Sequence, residues 1–276
     1  MRLNILHRTT YRYGAPFTFG LQQLRLTPKS RAGQSVLTWR TRIEGGRREL
    51  EFDDQHMNRV MLISFAGDGH EIVITSEGEV ETMDTSGVVG KHAGFAPLWL
   101  FQRSTPLTRQ GPGVRSLTKG LAAEYDDPIA RCHALSTRVA ETVKWELGAT
   151  GTESTAEEAI AAGAGVCQDH AHIFVAAARQ MGLPARYVSG YLMMEDTVHQ
   201  EASHAWAEVH VDPLGWVGFD VSNGISPDER YVRVATGLDY SEAAPVRGLR
   251  DGTVEGETLS VAIQVQHSID GQMQQQ

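Results

Sequence analysis

Cysteine and long apolar stretches are scarce in this sequence. Cys132 and Cys167 are the only cysteines among its 276 residues, and two cysteines cannot build a disulfide framework, so we expect both to be reduced thiols. No run approaches the roughly 20 apolar residues that a membrane-spanning helix needs, and residues 1–8 lack the apolar segment of a signal peptide. We therefore predict a cytoplasmic protein without a membrane partner.

Positive charge is also in short supply. Lys and Arg number 25 against 34 Asp and Glu, a formal charge of −9, which argues against nucleic acid as a partner. Hydrophobic residues make up 41% of the chain and charged residues 21%, as in an ordinary globular protein that can bury a core. The length is typical of two domains or one large one, and no pattern indicates an oligomeric state.

Residues 1–85 carry the pattern of an all-β domain. Apolar and polar residues alternate with period two in runs such as 35–43 and 71–75, and turns containing glycine separate these runs. The spacing favours antiparallel hairpins in a sandwich-like domain. Residues 86–116 are rich in glycine and proline and are predicted to connect this domain to the next.

Residues 117–270 combine helix and strand patterns and are assigned to a second domain. Cap and stop signals predict helices over residues 128–148, 154–162 and 167–182. Alternating runs predict strands over residues 185–192, 204–211, 216–221 and 258–266. The Gln-rich residues 271–276 are predicted to be a disordered tail.

Cys167 stands where a helix is predicted to begin, directly after the Gly-Ala-Gly-Val segment 163–166. Unpaired N–H groups and the positive end of the helix dipole favour a thiolate there. The glycines let a substrate carbonyl approach the backbone, and the Cys167 N–H is a candidate donor to a developing oxyanion. Cys167 is the candidate nucleophile, whereas Cys132, on the apolar stripe of a helix, is predicted to be an inert core thiol.

His204 opens an alternating strand and is the candidate base. Residues 204, 206, 208 and 210 share one face of this strand, and small or apolar residues share the other. The apolar face is expected to pack on the Cys167 helix or on a neighbouring layer, which would leave the His204 face polar and open. A third group should orient the imidazole, and Asp220, bracketed by apolar residues, is a candidate because an unpaired carboxylate is costly there.

Four segments, in this order, resemble motifs of the bacterial transglutaminase-like proteins, which belong to the papain-related group of cysteine enzymes. They are the Cys segment 163–172, the strand segment 182–191, the His segment 203–208 and the Asp segment 215–220. Residues 21–28 are similar to the family's N-terminal β domain. Two places differ from the family pattern: Val-Ser-Asn follows Asp220 where Pro-Thr-Asn is usual, and residues 54–58 replace an aromatic-Gly-Asn turn.

The resemblance implies an α+β fold. A β-sandwich-like N-terminal domain would precede a papain-like transglutaminase core, in which the helix that begins at the cysteine packs on an antiparallel sheet. It further implies that Cys167 is the nucleophile, that His204 is the base and acid, and that Asp220 is the orienting carboxylate. No cofactor is implied.

Other interpretations of the same residues were weighed. A zinc site of Cys167, His170 and His172 is disfavoured because the two histidines point about 200° apart on a helix, so no metal is expected. His170 remains an alternative base, since it follows Cys167 by one helical turn. Trp206 and Trp216 are expected to be packing residues rather than substrate platforms. Glu208 would either line the cleft or pair on the surface.

The third member of the triad depends on a hairpin. A two-residue turn at residues 213–214 would place Asn223 opposite His204 and Asp220 on the far face. Asn223 is therefore a rival orienting residue, because an amide can also hold an imidazole. If Asp220 has this role, a longer loop or a β-bulge must shift the register between the two strands.

The predicted activity is thiol-dependent cleavage of a peptide or carboxamide bond through an acyl-enzyme on Cys167. The partner would be a peptide or protein substrate with an amide to be cleaved or transferred. Two alternatives remain: acyl transfer to an amine, as in a transglutaminase, and a non-catalytic binding module that retains the fold.

Overall fold

The computed structural model describes residues 1–14, 19–67, 69–251 and 258–268. Over these residues the chain forms two β-sheets that face each other, a third sheet with helices on one side, and a small two-stranded sheet. The predicted α+β class is confirmed. No helix in the described ranges is long and apolar enough to cross a bilayer.

Two antiparallel sheets form the sandwich. The strands that precede the core are β1 (Arg2–Arg12), β2 (Phe19–Thr27), β3 (Gln34–Glu44), β4 (Arg47–Asp53), β5 (Arg59–Ala66), β6 (Glu71–Thr82) and β7 (Val88–Gly90). The predicted runs 35–43 and 71–75 lie in β3 and β6. Side chains from β2 and β5 pack against side chains from β6, for example Leu24 and Ile63 against Ile74, because each strand alternates its apolar residues inward.

The rest of the chain carries the described α-helices, most of the third sheet, and three strands that belong to the sandwich sheets. After a 3₁₀ turn at Leu98–Gln102 come α1 (Pro112–Thr118), α2 (Leu121–Glu124), α3 (Pro128–Thr142), β8 (Lys144–Trp145), α4 (Ala156–Ala162), β9 (Ala164–Gly165), α5 (Cys167–Gln180), β10 (Ala185–Leu192), β11 (His199–Gln200), β12 (His204–Val211), β13 (Gly215–Phe219), β14 (Tyr231–Gly237), α6 (Tyr240–Ala243), β15 (Val246–Asp251) and β16 (Thr258–His267). The third sheet has the order β14-β10-β12-β13-β7, and the strands that belong to the sandwich sheets are β11, β15 and β16.

Helix α3 begins as predicted but ends early. The Asp127 side chain caps it by accepting from the N–H of Ala130 at 2.9 Å. The helix stops at Thr142, six residues before the glycine that was predicted to end it. The reason is tertiary, because the next residues form the short parallel bridge between β8 and β9 that leads to the Cys167 helix.

The last two strands return to the sandwich. Strand β16 pairs with β1, and β15 pairs with β2. The final strand was assigned to the core with residues 117–270, and that placement is wrong. Strand β16 satisfies the free backbone edge of β1, and Ile263 and Val265 join Leu3 and Ile5 in one apolar cluster. The domain boundaries at 85 and 117 stay predictions, and residues 271–276 lie outside the described ranges.

Two side-chain amides close the outer edge of the third sheet. The Gln34 amide donates to the carbonyl of Arg233 at 2.9 Å and accepts from its N–H at 2.9 Å. The Asn58 amide pairs in the same way with Thr236, at 2.7 and 2.8 Å. Both amides come from the sandwich and bind β14, so the sandwich is fixed directly against the core. Met57, beside Asn58, has a φ of 63°.

Candidate active site

The start of α5 holds Cys167 in a partly exposed position. Asp169 accepts hydrogen bonds from the N–H of Val166 at 2.8 Å and from the hydroxyl of Thr150 at 2.6 Å. A Cβ on Gly165 would stand 2.8 Å from Oδ2 of Asp169, so a glycine is required there. This cap fixes where α5 begins, and hence places the thiol at the positive end of the helix dipole.

His204, the first residue of β12, lies between a carboxylate and a thiol. Its Nε2 atom is 2.6 Å from Oδ2 of Asp220, and the Cys167 thiol lies near enough to act on the pKa of the imidazole. Burial by itself would lower the pKa of His204. The hydrogen bonds and charges of Asp220 and Cys167 outweigh burial and raise the pKa to about 10. The imidazolium form is therefore favoured at neutral pH.

The register between β12 and β13 puts Asp220 on the His204 side of the hairpin. Val211 pairs with Gly215, so the connecting loop has three residues, 212–214. Compared with a two-residue turn, this shifts the register by one, which reverses side-chain direction along β13. The regular two-residue turn is thus wrong. The observed loop is the longer one that the sequence analysis required if Asp220 orients the imidazole.

The Asp220 carboxylate is only 1% exposed and is surrounded by donors. Its Oδ2 atom accepts from His204, from the amide of Asn223 at 2.7 Å and from the hydroxyl of Tyr231 at 2.8 Å. Its Oδ1 atom accepts from the N–H of Ser222 at 3.0 Å. Burial raises the pKa of Asp220, but hydrogen bonds from His204, Asn223 and Tyr231 prevail and lower it. Asn223, the rival orienting residue, therefore supports the carboxylate.

Two aromatic rings enclose the imidazole. Trp206 lies nearly parallel to the His204 ring, with centroids 6.2 Å apart, and Tyr231 lies 5.9 Å from it. Trp206 and Tyr231 also meet edge to face at 5.5 Å. Both are buried, so Trp206 packs against the site, and the pair limits the directions in which the His204 ring can turn.

Sequence reasoning missed Tyr231, because it missed strand β14. The run Tyr-Val-Arg-Val-Ala-Thr-Gly over residues 231–237 is rich in β-branched and aromatic residues, which is a strand signal that could have been used. Asp169 was also missed as the residue that caps α5. Its position three residues after Val166 matches the acidic position of a capping box.

The face of β12 that carries His204 is closed rather than open. Glu208 is fully buried, and its carboxylate binds Arg186 at 2.6 Å and Arg233 at 2.7 Å. The expectation that Glu208 lines the cleft or pairs on the surface is therefore wrong. Alternation identified the face correctly, but it could not show that β14 and the sandwich cover it. Trp216 is likewise buried, with the Arg186 guanidinium 3.8 Å above its ring.

The remaining candidates are occupied elsewhere. His170 places Nδ1 2.8 Å from the Ser222 hydroxyl and Nε2 2.9 Å from the Val143 carbonyl, so neither ring nitrogen is available to the thiol of Cys167. His172 is buried and accepts from the N–H of Tyr240 at 3.1 Å. These contacts point the two histidines to different neighbours.

Cys132 contrasts with Cys167. It is fully buried in the cluster between the helices and the third sheet. Burial raises the pKa of the Cys132 thiol to about 12, so this thiol is predominantly protonated at neutral pH. The two cysteines therefore have different chemical environments, as their sequence contexts predicted.

Family models cover both parts of the chain. Residues 115–221 match the transglutaminase-like superfamily, and residues 3–81 match the bacterial transglutaminase-like N-terminal region. The resemblance drawn from the four motifs is confirmed. A crystal structure of a "putative cysteine protease" from Cytophaga hutchinsonii superposes with a TM-score of 0.73 and 18% identity, over 96% of this chain and 98% of that one. It shows the same fold.

Proteins similar in sequence to this chain occur in bacteria. An uncharacterized protein of Mycobacterium leprae is 29% identical over 280 residues, which is 96% of this chain and 98% of the relative. An uncharacterized protein of Mycobacterium tuberculosis is 25% identical over 96% of this chain and 92% of its own length. A protein-glutamine gamma-glutamyltransferase of Pseudomonas aeruginosa is 29% identical over 152 residues, 51% of this chain but 22% of that protein.

Proposed function

The chain belongs to the transglutaminase-like superfamily, and from this we propose that it is a cysteine-dependent enzyme that cleaves peptide or carboxamide bonds through an acyl-enzyme on Cys167. The observation that carries the proposal is the 2.6 Å contact between the His204 imidazole and the Asp220 carboxylate, beside a partly exposed Cys167 thiol at the start of α5 that acts on the same imidazole. Such a nucleophile, base and orienting group define this chemistry by geometry. The substrate would be a peptide or protein.

The first half of the reaction forms a thioester. The Cys167 thiolate attacks the amide carbonyl, and the carbonyl oxygen gains negative charge near the N–H of Cys167 at the helix start. The His204 imidazolium then gives its proton to the departing amine, so the C–N bond breaks and the acyl group stays on sulfur. Asp220 stabilises the imidazolium, and its other donors hold it in place.

The second half releases the acyl group. Water attacks the thioester while neutral His204 takes one of its protons, which yields a carboxylic acid and restores the thiolate and imidazolium. If a lysine-type amine attacks instead, the product is a new amide and the enzyme is a transglutaminase. We favour water, because no sequence feature marks a dedicated amine channel. The similarity to the Pseudomonas gamma-glutamyltransferase supports the amine alternative.

Selective alkylation tests the nucleophile. Iodoacetamide at mildly acidic pH should label Cys167 well before Cys132, because only Cys167 combines partial exposure with an imidazolium partner. Cys167→Ala should abolish turnover and change Tm by only a few degrees, since the side chain lies outside the main core. Preferential labelling of Cys132 in the folded protein would overturn the assignment. A reactive Cys167 with no turnover on peptide and glutamine-amide libraries would favour a binding module.

Product analysis with an added primary amine separates hydrolysis from transfer. Both routes share the thioester, so only the identity of the attacking group differs. We expect mainly the hydrolysed acid, and a dominant amine adduct at low amine concentration would establish the transglutaminase alternative. Cys167→Ala must remove both products. We also propose a cytoplasmic location, where both free thiols would stay reduced.

A further inference from the structure

A cluster of three arginines lies around one carboxylate, where the sandwich meets the core. Glu208 is fully buried and binds Arg186 through Oε2 and Arg233 through Oε1. The Nη2 atom of Arg233 also donates to Oε2, at 3.1 Å. These contacts use both oxygens of the carboxylate. Glu208 therefore pairs with both core arginines, and its acceptor positions are directed to them.

Arg31, which comes from the sandwich, is the third arginine and lacks such a partner. Its Nε atom is buried without a hydrogen bond, and within the described parts of the chain no carboxylate lies at ion-pair distance from it. Burial lowers the pKa of Arg31, with Glu208 opposing and Arg186 adding to that effect. Arg31 as a whole is partly exposed, but its buried Nε donor is costly to leave without a hydrogen-bond acceptor, which an anion would supply.

Other nearby carboxylates are already engaged. Asp228 lines the same region, but its two oxygens bind the side chain of Arg230 at 2.6 to 3.0 Å. The three guanidiniums of Arg31, Arg186 and Arg233 thus face one available carboxylate, Glu208. The cluster carries an excess of two positive charges; Arg186 and Arg233 are buried, and Arg31 is partly exposed.

A small cavity lies against this excess charge. Its volume is about 60 Å³, and its lining includes Arg31, Arg233 and Glu208 together with the rings of Trp206 and Tyr231. The cavity is large enough for a group of several heavy atoms, since one water needs only about 10–15 Å³ of such space. Arg31 fixes one wall through its backbone, which bonds in both directions with Gln34.

We propose that this cavity is a binding site for a small oxyanion of the phosphate or sulfate type, held by Arg31 of the sandwich and Arg233 of the core. The Arg31 guanidinium can bind a tetrahedral oxyanion through paired N–H donors. Arg233, whose Nε and Nη2 atoms bind Glu208, adds positive charge beside it. The anion supplies the missing negative charge and joins the two parts of the chain. Trp206 and Tyr231 line this cavity and also pack against His204. Binding of the anion therefore also affects the packing around the imidazole.

Thermal unfolding with and without the anion tests the site and needs no substrate, so its outcome is separate from that of the proposed enzyme activity. The wild-type protein is titrated with inorganic phosphate and, at matched ionic strength, with chloride. We expect phosphate to raise Tm by about 3 °C more than chloride does once its concentration is roughly ten times Kd. Sulfate should act like phosphate, and acetate less strongly.

Two arginine variants make the comparison specific. Arg31→Met should abolish the difference between phosphate and chloride, and in chloride it should be at least as stable as the wild type, because a positive charge without a counter-charge and a buried unpaired N–H donor are removed. Arg103→Met removes the same charge from an exposed site and should keep the full phosphate response. Arg31→Lys should retain a weaker response, since an ammonium lacks the paired donors.

Several outcomes would overturn the proposal. Equal stabilisation by chloride and phosphate would indicate general screening, and an unchanged phosphate response in Arg31→Met would place the anion elsewhere. An Arg31→Met protein that is markedly destabilised in chloride would mean that contacts within the protein already compensate Arg31. Loss of the response in Arg103→Met as well would show an effect of net charge alone.

Discussion

Two buried carboxylates on neighbouring strands are paired in different ways. Asp220 binds a titratable imidazole together with neutral donors from Asn223 and Tyr231. Glu208, four residues along β12 from His204, binds two guanidiniums. Guanidinium groups stay charged over the accessible pH range, whereas an imidazole can gain and lose its proton within that range.

The difference separates a site that can move a proton from one that holds an interface. The Asp220 cluster stabilises the charged form of His204 without fixing it permanently, which proton transfer to a leaving group needs. The Glu208 cluster fixes β10, β12 and β14 together with charges that do not change. Asp220 variants should therefore mainly affect activity, and Glu208 variants should mainly affect stability.

Asp220→Asn should produce the largest effect, a loss of turnover of about 10⁴-fold, which is the magnitude seen when an amide replaces the orienting carboxylate of a triad. The amide stabilises the imidazolium less well and favours the wrong tautomer of His204. Cys167 should still be alkylated by iodoacetamide. Steady-state kinetics and mass spectrometry of the labelled protein provide the two measurements.

Asn223→Ala is the control for that variant. It removes one of the donors to Oδ2 of Asp220 at 2.7 Å but leaves the contact with His204 in place, so its turnover should fall only slightly. The opposite ranking, with Asn223→Ala nearly inactive and Asp220→Asn active, would make Asn223 the orienting residue.

Glu208→Gln should have the next largest effect, on stability. Two buried arginines would lose their counter-charge, and breaking a buried ion pair in this way typically costs about 3–5 kcal/mol. Chemical denaturation measures the free energy of unfolding. Turnover per folded molecule should stay close to that of the wild type, because Glu208 does not contact Cys167, His204 or Asp220.

Glu77→Gln is the matched surface control for Glu208→Gln. Glu77 also accepts from two arginines, Arg40 and Arg42, but at an exposed site. Its loss should change the free energy of unfolding by less than about 1 kcal/mol. If both variants lose the same stability, burial does not distinguish the Glu208 cluster from an ordinary surface pair.

The sequence predicted more of the Asp220 cluster than of the Glu208 cluster, for a physical reason. Cys167, His204 and Asp220 stand in local motifs, namely a helix start, a strand start and a carboxylate among apolar residues. The partners of Glu208 come from β10 and β14, which are distant along the chain from one another. Alternation places Glu208 on a face of β12, but what covers that face is set by tertiary packing.

Strand connectivity shows the same limit. Period-two runs predicted β3, β6, β12 and most of β16, because alternation depends only on neighbouring residues. No local signal indicated that β16 would pair with β1. Such long-range pairing depends on which edge is left free after the rest of the sandwich has formed, and that information is spread over the whole chain.

The dependence of stability on pH should also distinguish the two clusters. The pKa of His204 is raised from 6.5 to about 10 in the folded protein. The contribution of the His204 charge to the free energy of unfolding is therefore fully present below pH 6.5 and is lost as the pH rises through about 10. Asp220→Asn should flatten this alkaline decline by roughly 1–3 kcal/mol. Denaturation curves recorded across that interval provide the measurement, and Glu208→Gln should keep the wild-type slope.

Tyr231→Phe should produce the smallest effect and tests how finely the Asp220 cluster is tuned. The change removes the hydroxyl that donates to Oδ2 at 2.8 Å and keeps the ring that packs on His204 and Trp206. A hydrogen bond to a charged group contributes about 1.5–3 kcal/mol, and the donor from Asn223 offsets part of its loss. We expect turnover to fall about tenfold, equivalent to ~1.4 kcal/mol of transition-state stabilisation.

The pH profile of Tyr231→Phe shows whether the hydroxyl acts on the Asp220–His204 pair or only helps to pack the ring. With one donor fewer, the pKa of Asp220 rises toward its ordinary value, so the acidic limb of the kcat/KM profile should move to higher pH. A lower kcat/KM with an unmoved acidic limb would mean that the hydroxyl only helps to fix the ring. Trp206→Phe is the comparison, because it alters packing on His204 and removes no donor to Asp220, so its acidic limb should stay in place.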